Sequence, residues 1–379
     1  MAKEVGAMKD GIKKVLTLAA AVMTMASAGA QIKLQSPNGD LQFRLIGRTN
    51  LDLGTYLGAD DDRPNRNGAS VNDTRLGLIA NFEETWQAKI EISFANKAIS
   101  FRDVYVQKSW DGGHRKLQIG NVFMPYGVKI MGLAYKFIET STTDLMFTPS
   151  RKMGALYQVY RPKVNFQLGF FSDGDVDSKQ TNQGWQAAGQ GILHIIEFNK
   201  EEEGASALDL GASLVFTHPS KNVAFNASMP TTINSNVLLS SGSMEAYNYG
   251  RIEAKMLFIK KRFYAEAHYH QANVNTPEAV NADNFKASGF YAQMSWLLKG
   301  NQQNYNPATG LAAHPAPKSL EVLARFNTTK IEDASLNDVS AEMNYFISKY
   351  LVARVLYVHT MVKDGPTLDL IQGRLQFSF

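Results

Sequence analysis

Residue-by-residue alternation of apolar and polar side chains is the feature that most restricts this chain. In WQAKIEISF (86–94), Trp86, Ala88, Ile90, Ile92 and Phe94 alternate with Gln87, Lys89, Glu91 and Ser93. In LQFRLIGRTNLDLGTY (41–56), Leu41, Phe43, Leu45, Leu51 and Leu53 share one face. Gln42, Arg44, Arg48, Asn50 and Asp52 share the other. RFYAEAHYH (262–270) sets Phe263, Ala265, Ala267 and Tyr269 against Arg262, Tyr264, Glu266, His268 and His270. Successive side chains of an extended strand point to opposite faces, so each segment has one oily and one wet side. Strands are predicted near 41–56, 74–82, 86–94, 99–110, 116–123, 152–161, 164–171, 186–198, 207–216, 243–259, 262–271, 287–298, 319–328, 337–346, 350–359 and 369–379. No convincing amphipathic helix interrupts them.

The connections alternate too. The odd gaps are mostly long and polar: 57–73, the 124–151 region, 172–185, 217–242 and 272–285. The even gaps are mostly tight: EET (83–85), DGGHR (111–115), PK (162–163), KK (260–261) and SKY (348–350). One even gap, 299–318, is long. About sixteen strands with loops on one end and turns on the other match a bacterial outer-membrane barrel. A barrel of that girth is too wide to fill with side chains alone. Its polar faces therefore line water and its Leu, Phe and Ile faces meet hydrocarbon, where only a closed barrel pairs every strand backbone group. Trp86, Trp110, Tyr160 and Trp296 fall near strand ends, as interfacial girdles require.

No apolar stretch of about 18 residues exists beyond the N-terminus, so no membrane-spanning helix is expected. Residues 1–30 read as a cleaved secretory signal peptide. Lys9, Lys13 and Lys14 precede the apolar VLTLAAAVMTM (15–25), and AGA (28–30) supplies small residues for cleavage. The alternative reading is a short buried helix. Residue 31 is Gln, not Cys, so a lipoprotein anchor is not expected. Removing Lys3, Lys9, Lys13, Lys14, Glu4 and Asp10 from the 39 basic and 35 acidic residues leaves a net charge of +2. That balance does not suggest a nucleic-acid partner. The absence of cysteine removes disulfides, thiol catalysis and thiolate metal sites together.

Three stretches resemble the phosphate-selective porin O and P family. RDVYVQ (102–107) followed by LQIGNVFMPYGVK (117–129) carries Gly120, Phe123, Pro125, Tyr126 and Gly127, with Glu139 downstream. WLLKGNQQNYNPATG (296–310) leads to LEVLARF (320–326), with Gly300, Tyr305, Gly310, Glu321 and Arg325. The third stretch is the terminal strand. The resemblance implies an all-β, transmembrane antiparallel barrel of about sixteen strands spanning residues 31–379. It also implies a homotrimer in the Gram-negative outer membrane, with the third external loop, about 124–151, folded into the lumen. It implies a water-filled pore for small anions such as phosphate. Candidate lining residues are Lys129, Lys136, Arg151 and Lys152 in or beside that loop, and Arg44, Arg48, Arg75 and Arg102 on flanking strands. Cationic linings favour anions, and the planar guanidinium grips phosphate with two parallel hydrogen bonds. An equally weighted reading pairs Arg44 and Arg48 with Asp52 or Glu91 across the lumen, and Glu139 with Asp144 balances charge within the loop.

Two other classes stay open. One is a structural subunit of a larger outer-membrane complex with a plugged lumen. The other is a barrel enzyme, but His268 and His270 lie on the polar face, whereas an outer-membrane phospholipase needs Ser and His facing lipid. HYHQ (268–271) has the i, i+2 spacing to hold a metal but reads first as a tier of the lumen. DGDVD (173–177) lacks the closing Glu of an EF-hand and reads as an external acidic loop. No cofactor, catalytic residue or metal site is expected. The ending RLQFSF (374–379) sets Leu375, Phe377 and Phe379 toward lipid. It is expected to pair with the first strand, and Phe377 and Phe379 resemble the signal read by the outer-membrane assembly machinery.

Overall fold

A computed structural model describes residues 33–36, 39–58, 67–95, 99–128, 135–174, 176, 182–198, 205–277 and 284–379. The expected leader (1–30) and Lys129 lie outside the described residues. Sixteen strands build the main sheet: β1 (Leu41–Leu57), β2 (Asn67–Phe82), β3 (Trp86–Ser93), β4 (Ser100–Trp110), β5 (Arg115–Phe123), β6 (Arg151–Arg161), β7 (Val164–Ser172), β8 (Trp185–Ile196), β9 (Ser206–His218), β10 (Asn248–Lys260), β11 (Phe263–Asn275), β12 (Phe285–Lys299), β13 (Ser319–Ile331), β14 (Ala334–Phe346), β15 (Leu351–Val362) and β16 (Thr367–Ser378). Each pairs antiparallel with its predecessor. β1 also pairs with β16, from Arg48↔Ser378 to Leu57↔Asp369, so the sheet closes on itself. A three-residue strand, Lys33–Gln35, extends the pairing at the start of β1. Closure leaves no long unpaired edge, the condition a spanning sheet must meet in hydrocarbon.

The two faces are inverted relative to a water-soluble protein. Leu53 is 65% exposed, whereas its neighbour Asp52 is 3% exposed; Leu168 is 54% exposed, and Gln167 5%. Outward aromatics gather toward the tight-turn end, with Phe82 against Trp86 and Phe263 against Trp296. Phe170, Trp185 and Phe216 group at the other end. Trp86, Trp296 and Trp185 suit such belts because the indole is apolar in body and carries one polar N–H. Tyr160 differs from expectation: it packs edge-on against the buried His194, so it belongs to the inner face.

One irregularity decides what enters the lumen. Between the pairs Ile90↔Val104 and Ile92↔Phe101, Glu91 faces two residues, Arg102 and Asp103. A bulge of this kind resets the alternation and re-aims side chains. The long-loop pattern holds at five of the first six odd connections, the exception being the short 94–99, and it lapses at 332–333 and 363–366, which are tight. The first connection is also shorter than expected, because β2 begins at Asn67 and pairs with β1 up to Thr55.

Three connections carry structure of their own. Residues 124–150 contain a short helix, α1 (Thr142–Phe147), started by Ser141, whose hydroxyl accepts from Asp144 N at 3.0 Å. Such a short helix lacks the periodicity that would reveal it in sequence. Residues 219–247 form a hairpin, Asn226–Ser228 with Val237–Ser240. The long even connection forms another, Asn304–Asn306 with Leu311–Ala313. The apolar core sits inside the barrel, where these segments meet the wall. Phe147 and Phe225 pack with Val274, Phe285 and Leu336, while Phe137, Ile138, Met229 and Ile233 pack with Tyr291, Leu356 and Leu370.

Candidate pore lining

The inner wall from β1 to β6 carries a ladder of alternating charges. Arg48 pairs with Asp73 at 2.6 Å, and Asp73 also takes Arg75 at 2.6 Å. Arg75 reaches Glu91 at 3.4 Å, and Glu91 accepts Lys89 at 2.7 Å. Lys89 continues to Asp103 at 2.5 Å, and Asp103 closes on Arg151, which lies 3.8 Å over the Phe123 ring. Asp103 shares the inner face of β4 with Tyr105 and Gln107, and the bulge lets Arg102 face inward as well. Four cations, Arg48, Arg75, Lys89 and Arg151, thus alternate with three acids, Asp73, Glu91 and Asp103. Arg44 and Arg102 add positive charge without an ion-pair partner among the described residues.

Two cavities meet at this ladder. One, of about 550 Å³, is lined by Arg48, Arg75, Lys89, Lys116, Arg151 and Lys255 against Glu91 and Asp103, with Gln87, Gln107, Gln118, Gln158, Gln167 and Gln190 between them. The other, of about 490 Å³, is bordered by Arg75, Arg102, Asn121, Phe123, Arg151 and, from the loop, Glu139, Thr140 and Asp144. Arg75, Phe123 and Arg151 line both. Burial pushes the loop carboxyl of Glu139 above its ordinary value, which favours its uncharged form.

The opposite wall, β10 to β16, is covered by residues 124–128 and 135–150. Arg325 donates to Glu139 O at 2.9 Å, and Arg354 to both Tyr135 O and Lys136 O at 2.9 Å. Arg374 donates to Ile138 O at 2.7 Å while gripping both oxygens of Asp52 at 2.6 and 2.7 Å. Glu342 accepts from Ile138 N at 2.8 Å, and Asn327 from Thr143 N at 3.0 Å. Gly127, at φ +64°, turns the chain inward, and its N–H donates to Glu253 at 3.2 Å. The hairpin connection 219–247 adds Thr231 on Gln372 and Thr232 on Asp52. From the turn end, the 300–318 segment reaches across: Ala308 O accepts from Gln158 and Asn165, and Tyr305 donates to Asp209.

The expected lining residues therefore separate. Arg48, Arg75, Arg102 and Arg151 border the cavities. Lys136 does not: it is buried, bound to Glu321 at 2.6 Å and Gln303 at 2.7 Å. Lys152 donates to Asp173 O at 2.7 Å and borders neither cavity, and neither does Arg44. Neither Asp52 nor Glu91 pairs with Arg44 or Arg48, because Asp52 is held by Arg374 and Glu91 by Arg75 and Lys89. Lys89, Lys116, Lys255 and Asp103 are not singled out in the sequence, and Glu91 only as a suggested partner of Arg44 or Arg48. For Lys89 and Glu91, their polar-face register beside Gln87 was the available signal.

A model of the phosphate-selective porin O and P family matches residues 43–379. No curated protein sequence matches the chain. Among solved structures, a loop-deletion mutant of Vibrio cholerae OmpT, an outer membrane protein, superposes with a TM-score of 0.61 at 10% identity, covering 90% of this chain and 100% of that one. The trimer form of in-vitro folded OmpT gives 0.57 at 9% identity, covering 89% and 99%. An anion-selective porin from Comamonas acidovorans gives 0.57 at 12% identity, covering 89% and 100%. At such identities these structures speak to the fold alone, and the closed sixteen-stranded wall agrees with them. Because the family match runs from the first strand through the seam at β16, the chain is an outer-membrane porin and belongs to the phosphate-selective porin O and P family.

Proposed function

We propose that this porin passes small anions, phosphate among them, along the β1–β6 wall, with residues 124–150 as its constriction. The observation that carries this reading is the ladder from Arg48 to Arg151, which lines both cavities with more cations than acids. Asp73, Glu91 and Asp103 hold the cationic heads in a row while leaving guanidinium donors for a passing oxyanion. Attraction that is spread over several weak sites lets an ion enter without trapping it. The family's description and the anion-selective porin of like fold support the same direction. The trimer form of OmpT supports three-fold assembly.

Residues 1–30 act as a leader that is removed on export, and Phe377 with Phe379 act as the label for outer-membrane assembly. Phe379 supports this by exchanging hydrogen bonds with Gly47 at 3.0 and 3.1 Å, where its ring lies against a residue with no side chain. Deleting Phe379 is expected to lower the amount of assembled barrel more than the conductance of each pore. The reverse outcome would count against the label.

A second reading, a plugged structural barrel, is favoured by the three connections that enter the lumen. Single-channel recording in planar bilayers separates the two. The pore reading expects stepwise chloride current that added phosphate reduces. A folded barrel without current would leave the structural reading standing.

A further inference from the structure

The inner face of β11, with the loop helix, holds a group that lies outside the charge ladder. Asp144 on α1 meets His268 and His270, and one ligand atom from each lies within 4.8 Å of the others. All three residues are at least 97% buried. The hydrogen bonds around them fix which ring nitrogens carry protons. His268 Nδ1 donates to Glu253 Oε1 at 2.8 Å. Tyr126 gives its hydroxyl proton to Ile252 O at 2.9 Å, so its oxygen accepts from His270 Nδ1 at 3.1 Å. Each Nε2 then faces the site, that of His268 also standing 3.7 Å from Glu266 Oε1. His270 Nε2 has no hydrogen-bond partner and stands 3.5 Å from Asp144 Oδ1. The repulsion between such a lone pair and a buried carboxylate is relieved by a metal ion between them or by a proton on the ring.

We propose that Asp144, His268 and His270 bind a divalent transition-metal ion of the zinc type. Two imidazoles and one carboxylate suit such an ion, with a fourth position for water. Zinc ligands about 2.0 Å from the metal stand roughly 3.3 Å apart, so closing on the ion needs side-chain shifts of up to about 1.5 Å. The second shell is in place: Glu253 orients His268, as a carboxylate typically orients a metal-bound imidazole, and Ser213 in turn holds Glu253 at 2.5 Å. Asp144 borders the cavity of about 490 Å³, which offers a way in. The ion would join the loop helix to β11 and so fix the loop that faces the pore. This site is independent of the direction of ion selectivity.

The test is zinc binding by the full-length, detergent-solubilised protein after chelator treatment and buffer exchange, read by elemental analysis and calorimetry. We expect about one zinc per chain. Asp144→Asn and His270→Gln should each weaken binding by at least about tenfold, and Glu253→Gln by about 10–100-fold. Magnesium, which prefers oxygen ligands, should not compete. Wild-type protein that takes up no stoichiometric zinc overturns the site, and this result does not depend on whether any variant folds. Variants that fold and bind zinc like the wild type overturn it equally. An ion pair between protonated His270 and Asp144 would give the first of these results.

Discussion

The two walls of the lumen use the same side chain for opposite ends. On β13, β15 and β16, Arg325, Arg354 and Arg374 donate to main-chain carbonyls at 135–139 and are themselves buried. On β1, β2 and β6, Arg48, Arg75 and Arg151 donate to side-chain carboxylates and border open space. A carbonyl belongs to the loop's fixed backbone, so an arginine bound to it anchors the loop. A carboxylate on the same wall only orients the arginine and leaves donors facing the cavity. A bond to the loop's backbone, together with burial, separates a structural arginine from one that can meet a solute. Lys136, by contrast, is engaged by the carboxylate of Glu321 and still lies buried away from both cavities, so a carboxylate partner alone does not leave a cation open.

The largest effect is expected from breaking the anchored wall. Arg354→Ala combined with Arg374→Ala leaves Glu342 and Asp52 buried without their guanidinium partners. Each such loss typically costs about 3–5 kcal/mol. Thermal melting should fall sharply, and any pores that form should conduct more because the loop has lost its hold. A melting point unchanged from wild type would mean that these arginines do not anchor the loop. Changing the open wall should leave stability nearly intact and alter selectivity instead. Arg75→Ala and Arg151→Ala each remove a cation from the junction of the two cavities. At about 4 Å in water-like surroundings, one charge is worth roughly 1 kcal/mol, or about fivefold in anion preference. Asp103→Asn should shift selectivity the other way and by less, because it also frees Lys89 and Arg151 to move. Lys152→Ala should alter reversal potentials least, as its side chain borders neither cavity. A change as large as that of Arg75→Ala would erase the distinction drawn between lining and non-lining cations.

The wall was legible in the sequence and its contents were not. Period-two alternation in 86–94 and 262–270 fixes both element and face, because a strand has two sides and a barrel in lipid must turn the apolar one outward. The inner register of Arg48, Asp52, Arg374 and His268 follows from it directly. The bulge at Glu91 was hidden, since strict alternation turns either Arg102 or Asp103 away from the lumen. Contacts across the lumen were hidden for a different reason. Lys136 meets Glu321, and Arg374 meets Ile138, through segments far apart in the chain, with no local pattern to mark the pairing. The long connection 300–318 was visible as an exception to the alternation of loops, but its reach to Gln158 and Asn165 depends on the closed fold. The histidines were legible as a pair on one face, whereas Asp144 joins them only once the loop has turned inward.

The central claim is that the charge ladder of β1–β6 sets the direction of ion selectivity. The reversal potential of wild-type pores under a potassium chloride gradient, repeated with the Arg75→Ala/Arg151→Ala double variant, tests it most directly. The account predicts a wild-type potential of the sign given by chloride permeating faster than potassium, and a clear shift toward cation preference in the variant. A cation-selective wild type, or a variant with the wild-type potential, would contradict it.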